Sequence, residues 1–343
     1  MRGTLTPRLW ATTLGAALAA GVLLVAGILA GSSDLGVGDV LHTLFVGGDR
    51  TDYFIVFELR MPRVAAAVLV GASLGMAGAL TQAFSRNPLA TPDILGVTSG
   101  AAAGAVATIV LGGGAYAVGA GLLGFGLPVV ACAGGLLTAA LVYGLSWRSG
   151  VDSYRLILIG IGVTAALTGV VNYLVVRAQL TQAAAATQWL VGSLSGVSWT
   201  SVWPVAVTLL VVAPLALGQT RALEVGQLGD DVSVGLGVSL QRHRLVVLAC
   251  AVVLTSVAVS AAGPIEFVAF VAPQVARRLA GSSRPPLVAS ALVGAALVTA
   301  ADIVGRALMP WPVPVGIVTA VVGAPYLIWL LTRRSSAERT ASA

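Results

Sequence analysis

From Leu59 to Gly104 the chain reads LRMPR, a membrane-length run of apolar and small residues, a polar turn RNPLATPD, and a second small-residue run that begins LGVTSGAAAG. This stretch restricts the fold more than any other. Lipid offers no partners to backbone N–H and C=O groups, so a run that crosses it must satisfy them internally, as a helix. Two such runs joined by a short proline-containing turn make an antiparallel helical hairpin. Arg60 and Arg63 flank Pro62 at one mouth of it, and the turn closes the other end.

The rest of the chain repeats this pattern. A spanning helix needs ~20 mostly apolar residues. Ten segments are candidates: 9–30, 63–83, 94–112, 118–145, 155–176, 200–217, 245–262, 265–280, 287–305 and 313–332. The eighth is short and reads as broken by Pro264 and Pro273, which is tolerated only where protein or a cavity surrounds the backbone. Pro128 allows the fourth to be two pieces. Only 9% of residues are charged, against roughly 25% in soluble proteins. That leaves too little polar surface to cover a globule in water. The expected fold class is therefore an all-α polytopic membrane protein of about ten transmembrane helices, with residues 1–343 as one domain and no linker between soluble parts.

Arginine sets the orientation. With ten spans and the N-terminus inside, Arg2, Arg8, Arg86, Arg148, Arg155, Arg221, Arg242, Arg244, Arg277, Arg278, Arg284, Arg333, Arg334 and Arg339 fall inside, and Arg50, Arg60, Arg63, Arg177 and Arg306 outside. Fourteen against five is the bias expected of cytoplasmic loops. Both termini, about 1–8 and 333–343, are then cytoplasmic. The net charge of +6 belongs to these loops and does not point to nucleic acid. The apolar run after Arg2 and Arg8 is longer than a signal-peptide core of ~7–15 residues and lacks a clear small-residue exit, so it reads as an uncleaved first helix.

Several chemistries are excluded. The chain has no lysine, so it supplies neither a phosphate-binding P-loop nor a Schiff base. Cys132 and Cys250 lie inside apolar runs and read as small packing residues. His42 and His243 lie far apart with no ligand spacing, so no metal site is expected. Gly71-x3-Gly75 and Gly100-x3-Gly104 are small-xxx-small patterns that let helix backbones approach closely. A weak internal echo relates Arg60/Arg63, Phe84 and Pro88 to Arg242/Arg244, Phe267 and Pro273, as an inverted repeat would.

Three constellations could carry function. Arg60, Arg63 and Arg306 gather at outer helix ends, where they either snorkel to headgroups or form a docking ring for an acidic soluble partner. Asp302 precedes Arg306 by four residues, so the two can pair. The inner segment 219–244 is the most polar internal stretch. Either it is a solvated loop, or it projects two short helices, Ala222–Leu228 and Val232–Leu236, that seat in a partner. Asp230 or Asp231 would cap the second of these helices and Gly237 would stop it. In AGPIEFVAFVAPQVARR, Glu266 is a lone acid near membrane depth. It is either a pathway residue or an interfacial acid at an outer helix end.

Four separated motifs resemble the FecCD-type iron-siderophore and cobalamin ABC permease family. They are Leu59 to Arg63; Gln82 with Arg86-Asn87-Pro88-Leu89-Ala90 and Leu95-Gly96-Val97; Leu236-Gly237-Val238 followed by Gly263-Pro264-Ile265; and Pro314 to Thr319 with Gly323-Ala324-Pro325. Gln188 to Leu194 and Ala272 to Arg278 look most like the enterobactin-type branch. The chain departs from the family at Gln274, where many members have His, at Glu266, and in Ser233-Val234-Gly235-Leu236-Gly237. The resemblance implies a permease subunit that imports a ferric siderophore, with haem or cobalamin as the alternatives within the family. It implies a second permease subunit, a heterodimer being favoured over a homodimer. It further implies two ABC ATPase subunits that hold ATP and Mg, and an extracytoplasmic binding protein. This chain itself would bind no cofactor and perform no bond chemistry. Arg60, Arg63 and Arg306 match the family's docking positions. Asp230, Asp231, Ser233, Gly235, Leu236 and Gly237 fall in its ATPase-coupling segment. Gln82, Asn87, Pro88, Gly263, Pro264 and Glu266 stand as pathway or gate candidates. The rival class, an ion-coupled secondary transporter, usually carries several acids in its spans.

Overall fold

The computed structural model describes residues 7–31, 35–112, 126–147, 153–237 and 239–341. Arg2, Arg148, Val238 and the first part of the expected fourth span, 118–125, lie outside them.

The described residues form helices in the order α1 Pro7–Leu29, α2 Val37–Phe45, α3 Arg50–Tyr53, α4 Met61–Ser85, α5 Val97–Leu111, α6 Leu127–Ser146, α7 Ser153–Arg177 and α8 Leu180–Leu190. After these come α9 Trp199–Gly218, α10 Thr220–Gly226, α11 Asp230–Gly235, α12 Leu240–Ala262, α13 Val268–Ala280, α14 Leu287–Ile303 and α15 Val315–Ala341. Two π-helical stretches, Phe54–Arg60 and Val304–Leu308, extend α4 backwards and α14 forwards. Seven of the helices are long and apolar enough to cross a membrane, and Val97–Leu111 and Val315–Leu330 are shorter apolar helices. At 13 residues, α13 is shorter still.

α4 is the most enclosed of the long helices, while α1, α7 and α9 are the most open. One core cluster joins α4 to α12, α14 and α9 around Met76, Leu80, Leu254 and Ala295. Small residues make this possible. A Cβ on Gly71 would collide with the Gly294 carbonyl, one on Gly75 with the Ser290 carbonyl, and one on Gly100 with Thr138 and the Gly134 carbonyl. Both small-xxx-small patterns thus sit at helix crossings, α4 on α14 and α5 on α6.

Of the two prolines expected to break the eighth span, Pro264 does lie in a break, between α12 and α13. Pro273 does not break α13, which runs through it. Proline removes the N–H that would bond the carbonyl four residues back. That carbonyl, on Ala269, occupies the space a Cβ on Gly78 would need, so only glycine leaves room. The real break lies upstream: α12 ends at Gly263 (φ +71°), and Phe267 (φ +64°) starts α13. α6 begins at Leu127 with Pro128 in its first turn. The helix expected from residue 63 begins at Arg50, and an eleven-residue helix, α8, occupies a stretch expected to be loop.

Candidate functional site

The helix ends form two groups. One carries Arg60, Arg63 and Arg306, and the other carries most of the remaining described arginines. At the first end, Asp302 lies 2% exposed on α14. Its Oδ1 accepts from Arg63 Nε at 2.9 Å, and its Oδ2 accepts from Arg306 Nε at 3.0 Å. The Asp302–Arg306 pair expected from the four-residue spacing forms. The surroundings of the arginines were not expected. Arg306 is 8% exposed and donates to the Gly27 and Ala30 carbonyls. Arg60 is 5% exposed and donates to the Ile28 and Leu29 carbonyls at 3.2 and 3.1 Å. The last carbonyls of a helix have no intrahelical partner. Two guanidiniums from elsewhere in the chain therefore cap the C-terminus of α1, where positive charge also suits the helix dipole.

Both capping arginines sit in the π-helical stretches, and Trp199 Nε1 donates to the Phe57 carbonyl within the first of these. Arg63 is the most open of the three, with its side chain 22% exposed. A cavity of about 660 Å³ lies over the cluster and is lined by Glu58, Arg60, Arg63, Arg306 and the 194–198 loop.

Also at this end, three distant motifs meet on glycines. Ser193 N–H donates to the Ala262 carbonyl at 2.8 Å, and Gly316 N–H donates to the Gly192 carbonyl at 3.0 Å. Gly192 (φ +74°) abuts the Pro264 carbonyl, and Gly263 abuts the Trp189 carbonyl. Gly263 and Pro264 are therefore brought together with the QWLVGSL and PVGIVT segments beside a cavity of about 340 Å³. Glu266 is exposed at the break between α12 and α13.

Deeper in, a buried amide pair joins α4 to α13. Gln274 Nε2 donates to Gln82 Oε1 at 2.6 Å and to the Pro88 carbonyl at 2.9 Å. Gln82 Nε2 donates to the Phe270 carbonyl at 3.2 Å, and Arg277 donates to Gln274 Oε1 at 3.0 Å. Asn87 shapes the turn by accepting from the Leu89 N–H at 2.9 Å. Gln82, Pro88 and Gln274 thus form one unit, with Asn87 beside it.

At the arginine-rich end, α10 and α11 form the expected pair of short helices, shifted to Thr220–Gly226 and Asp230–Gly235. The expected cap is not made: the N-cap position is Gly229, and neither aspartate caps by its side chain. Asp230 instead accepts from Arg86 and Arg244, both at 2.6 Å. A charged partner outcompetes a backbone amide for a carboxylate. Burial alone would raise the pKa of Asp230, but Arg86 and Arg244 override it and hold the carboxyl below its ordinary value. Arg86 itself has φ +50°, ending α4. Glu224 pairs with Arg284 on the α13–α14 connection. Ser233 is buried and donates to the Gly229 carbonyl at 2.6 Å, which locks α11 onto its own turn. Gly237 has φ +82°, the left-handed stop expected of it. Gly235 and Asp231 are exposed. So are Val234 (59%) and Leu236 (62%), which together with exposed Leu228 and Val232 make an apolar patch on the knob.

Arg284 and Glu224 were not singled out in the sequence, and Arg244 entered only through the internal echo. Glu224 and Arg284 lie 60 residues apart, and no local pattern marks them as partners. Among the described residues, no group of three or more His, Cys, Asp or Glu side chains could hold a metal ion.

Residues 18–333 match the FecCD transport family. The chain is 41% identical over 313 residues to the ferric enterobactin transport system permease protein FepG of Escherichia coli K12, covering 90% of this chain and 92% of that one. It is 37% identical to the iron(3+)-hydroxamate import system permease protein FhuG of Bacillus subtilis 168, covering 85% and 88%. Its fold superimposes on an inward-facing metal-chelate type ABC transporter with TM-score 0.81 and 27% identity, over 94% of this chain and 98% of that one.

Proposed function

The chain belongs to the FecCD transport family, and we propose that it is the membrane permease subunit of an ATP-driven importer that carries a ferric siderophore across the cytoplasmic membrane. The observation that carries this reading is the near-complete coverage of the ferric enterobactin and ferric hydroxamate permeases. Ten membrane segments, α1, α4 to α7, α9 and α12 to α15, would place both termini in the cytoplasm. The resemblance to the enterobactin-type branch favours a second, different permease subunit as the partner.

In this assignment the arginine-rich end meets two ATPase subunits that hold ATP and Mg. Exposed Val234 and Leu236 supply the apolar contact that such an interface buries at its centre. Asp230 ties α11 to α4 and α12, and Glu224 ties α10 to the α13–α14 connection. A push on the knob therefore reaches Arg86, the Asn87–Pro88 turn and, through Gln274, α13. ATP shifts the permease between states only through contacts that differ between those states, and this route supplies them. At the other end, the cavity over Arg63 receives an acidic binding protein. Arg60 and Arg306 keep their family positions but act there by holding α1 in place.

The test is uptake of radio-iron siderophore into proteoliposomes that hold the complete transporter, with binding protein added. Uptake is expected to need ATP, to stop with vanadate and to ignore a proton ionophore. Uptake that persists with vanadate and collapses with the ionophore would establish the ion-coupled rival instead.

A further inference from the structure

α1 is attached unequally along its length. Its last turn is capped by Arg60 and Arg306, and Gly27 packs against Val64. Toward Arg8 a cleft of about 550 Å³ opens between α1 and the α13–α14 pair, lined by Arg8, Thr12, Gly15, Leu279 and Ala296 among others. A Cβ built on Gly15 meets nothing within 4 Å. The walls are apolar, and the Thr12 hydroxyl is already given to the Arg8 carbonyl at 2.8 Å. Water has too few polar partners in such a cleft, and an unfilled cleft forfeits dispersion contacts on every wall. A hydrocarbon chain satisfies both conditions.

The mouth of the cleft has a charge. Arg8 is exposed, and its side chain lies against Gly281 at the end of α13, where its guanidinium makes no hydrogen bond or ion pair among the described residues. Among the described residues, no acid lines the cleft. Arg278, on the last turn of α13, is engaged elsewhere, with its guanidinium carbon 4.6 Å from the Trp329 ring centroid. A free guanidinium beside an apolar cleft at the membrane surface matches a phosphodiester above an acyl chain, because the planar fork grips phosphate oxygens in pairs. We propose that this cleft binds one anionic phospholipid, with an acyl chain between α1 and the α13–α14 pair and its phosphate on Arg8. The lipid completes the packing of α1 that the protein leaves open.

Native mass spectrometry tests this on the complete transporter, using phosphatidylglycerol and phosphatidylcholine with identical chains. One phosphatidylglycerol is expected to be retained per copy of this chain. The preference over phosphatidylcholine is expected to be about fivefold, the ratio one basic residue at a membrane surface supplies. Arg8→Gln removes the preference and leaves weak retention of both lipids. Gly15→Leu fills the cleft and removes both, and the open space at Gly15 lets that variant fold. Three results would overturn the proposal. The first is equal retention by Gly15→Leu and wild type. The second is loss of the preference in millimolar inorganic phosphate, which would make the site one for free phosphate. The third is a disulfide between Gly15→Cys and a cysteine on a partner subunit, which would make the occupant protein. No readout involves uptake, so the lipid site and the transport function stand or fall separately.

Discussion

Asp302 accepts both Nε and Nη2 of Arg63 at 2.9 Å, across 239 residues of sequence. The same carboxylate holds Arg306, so a single buried acid fixes both Arg63 and Arg306. Removing one member of a buried, hydrogen-bonded pair leaves an uncompensated charge and costs about 3–5 kcal/mol. Asp302→Ala is expected to destabilise the permease by about that amount, read as a lower unfolding midpoint in detergent, with α1 becoming susceptible to proteases. An unchanged midpoint would mean that the cluster does not hold the bundle together.

Arg60, Arg63 and Arg306 should separate in a docking assay. Arg63 is part-exposed, whereas Arg60 and Arg306 are buried on α1 carbonyls. Exposed pairs contribute only ~0.2–1 kcal/mol each, so Arg63→Ala should be mild. Arg63→Glu places like charges together, at a cost of several kcal/mol, and should abolish binding of the purified binding protein to the permease in nanodiscs. High salt should weaken wild-type docking, because exposed charges are screened beyond about 8 Å at physiological ionic strength. Arg306→Gln should act mainly on stability. Wild-type affinity in Arg63→Glu at low salt would remove this surface from the docking assignment.

The Asp230 clamp has a defined pH range. Its carboxyl is held below the ordinary value by Arg86 and Arg244. A depressed folded pKa adds stability above the unfolded pKa, and that stability is lost as pH falls through the folded one. Proteolytic nicking of the 219–244 segment should therefore stay flat from about pH 8 to about pH 5 and rise only below the normal carboxylate range. Asp230→Asn should raise nicking already at neutral pH. A rise between pH 7 and 6 in the wild type would point to a histidine rather than Asp230.

At the knob, the surroundings of Gly237 are open and its φ is +82°. Gly237→Glu should cost roughly 1–2 kcal/mol of backbone strain without a clash, and it places a charge beside Leu236. ATPase binding and uptake should fall while membrane insertion and binding-protein docking persist. Normal uptake by this variant would show that the segment is not the coupler.

Gly78 should tolerate nothing larger. The space a Cβ there would need is occupied by the Ala269 carbonyl that Pro273 leaves without its helical donor. Gly78→Ala should cost 1–3 kcal/mol or more through overpacking, seen as reduced folded yield. Gly162→Ala, with nothing within 4 Å, should be neutral in the same assay.

The sequence alone determined the class of solvent, the approximate positions of the membrane segments, the bias of arginine to one end and the glycines at helix crossings. These are local quantities. Run length sets what can span lipid, and a glycine every fourth residue marks one helix face wherever that helix docks. The Gly237 stop and the Asp302–Arg306 pair were legible for the same reason, since each lies within one turn. Only tertiary structure decided that Arg60 and Arg306 cap α1, and that Asp230 clamps Arg86 and Arg244 rather than its own helix. Only it decided that Glu224 meets Arg284, that α13 runs through Pro273, and that Gly192, Gly263 and Gly316 share one junction. Apart from the course of α13, these join groups from 14 to 279 residues apart, in a chain whose apolar segments look alike. Which arginine meets which carboxylate depends on how the helices pack, and no local spacing encodes that.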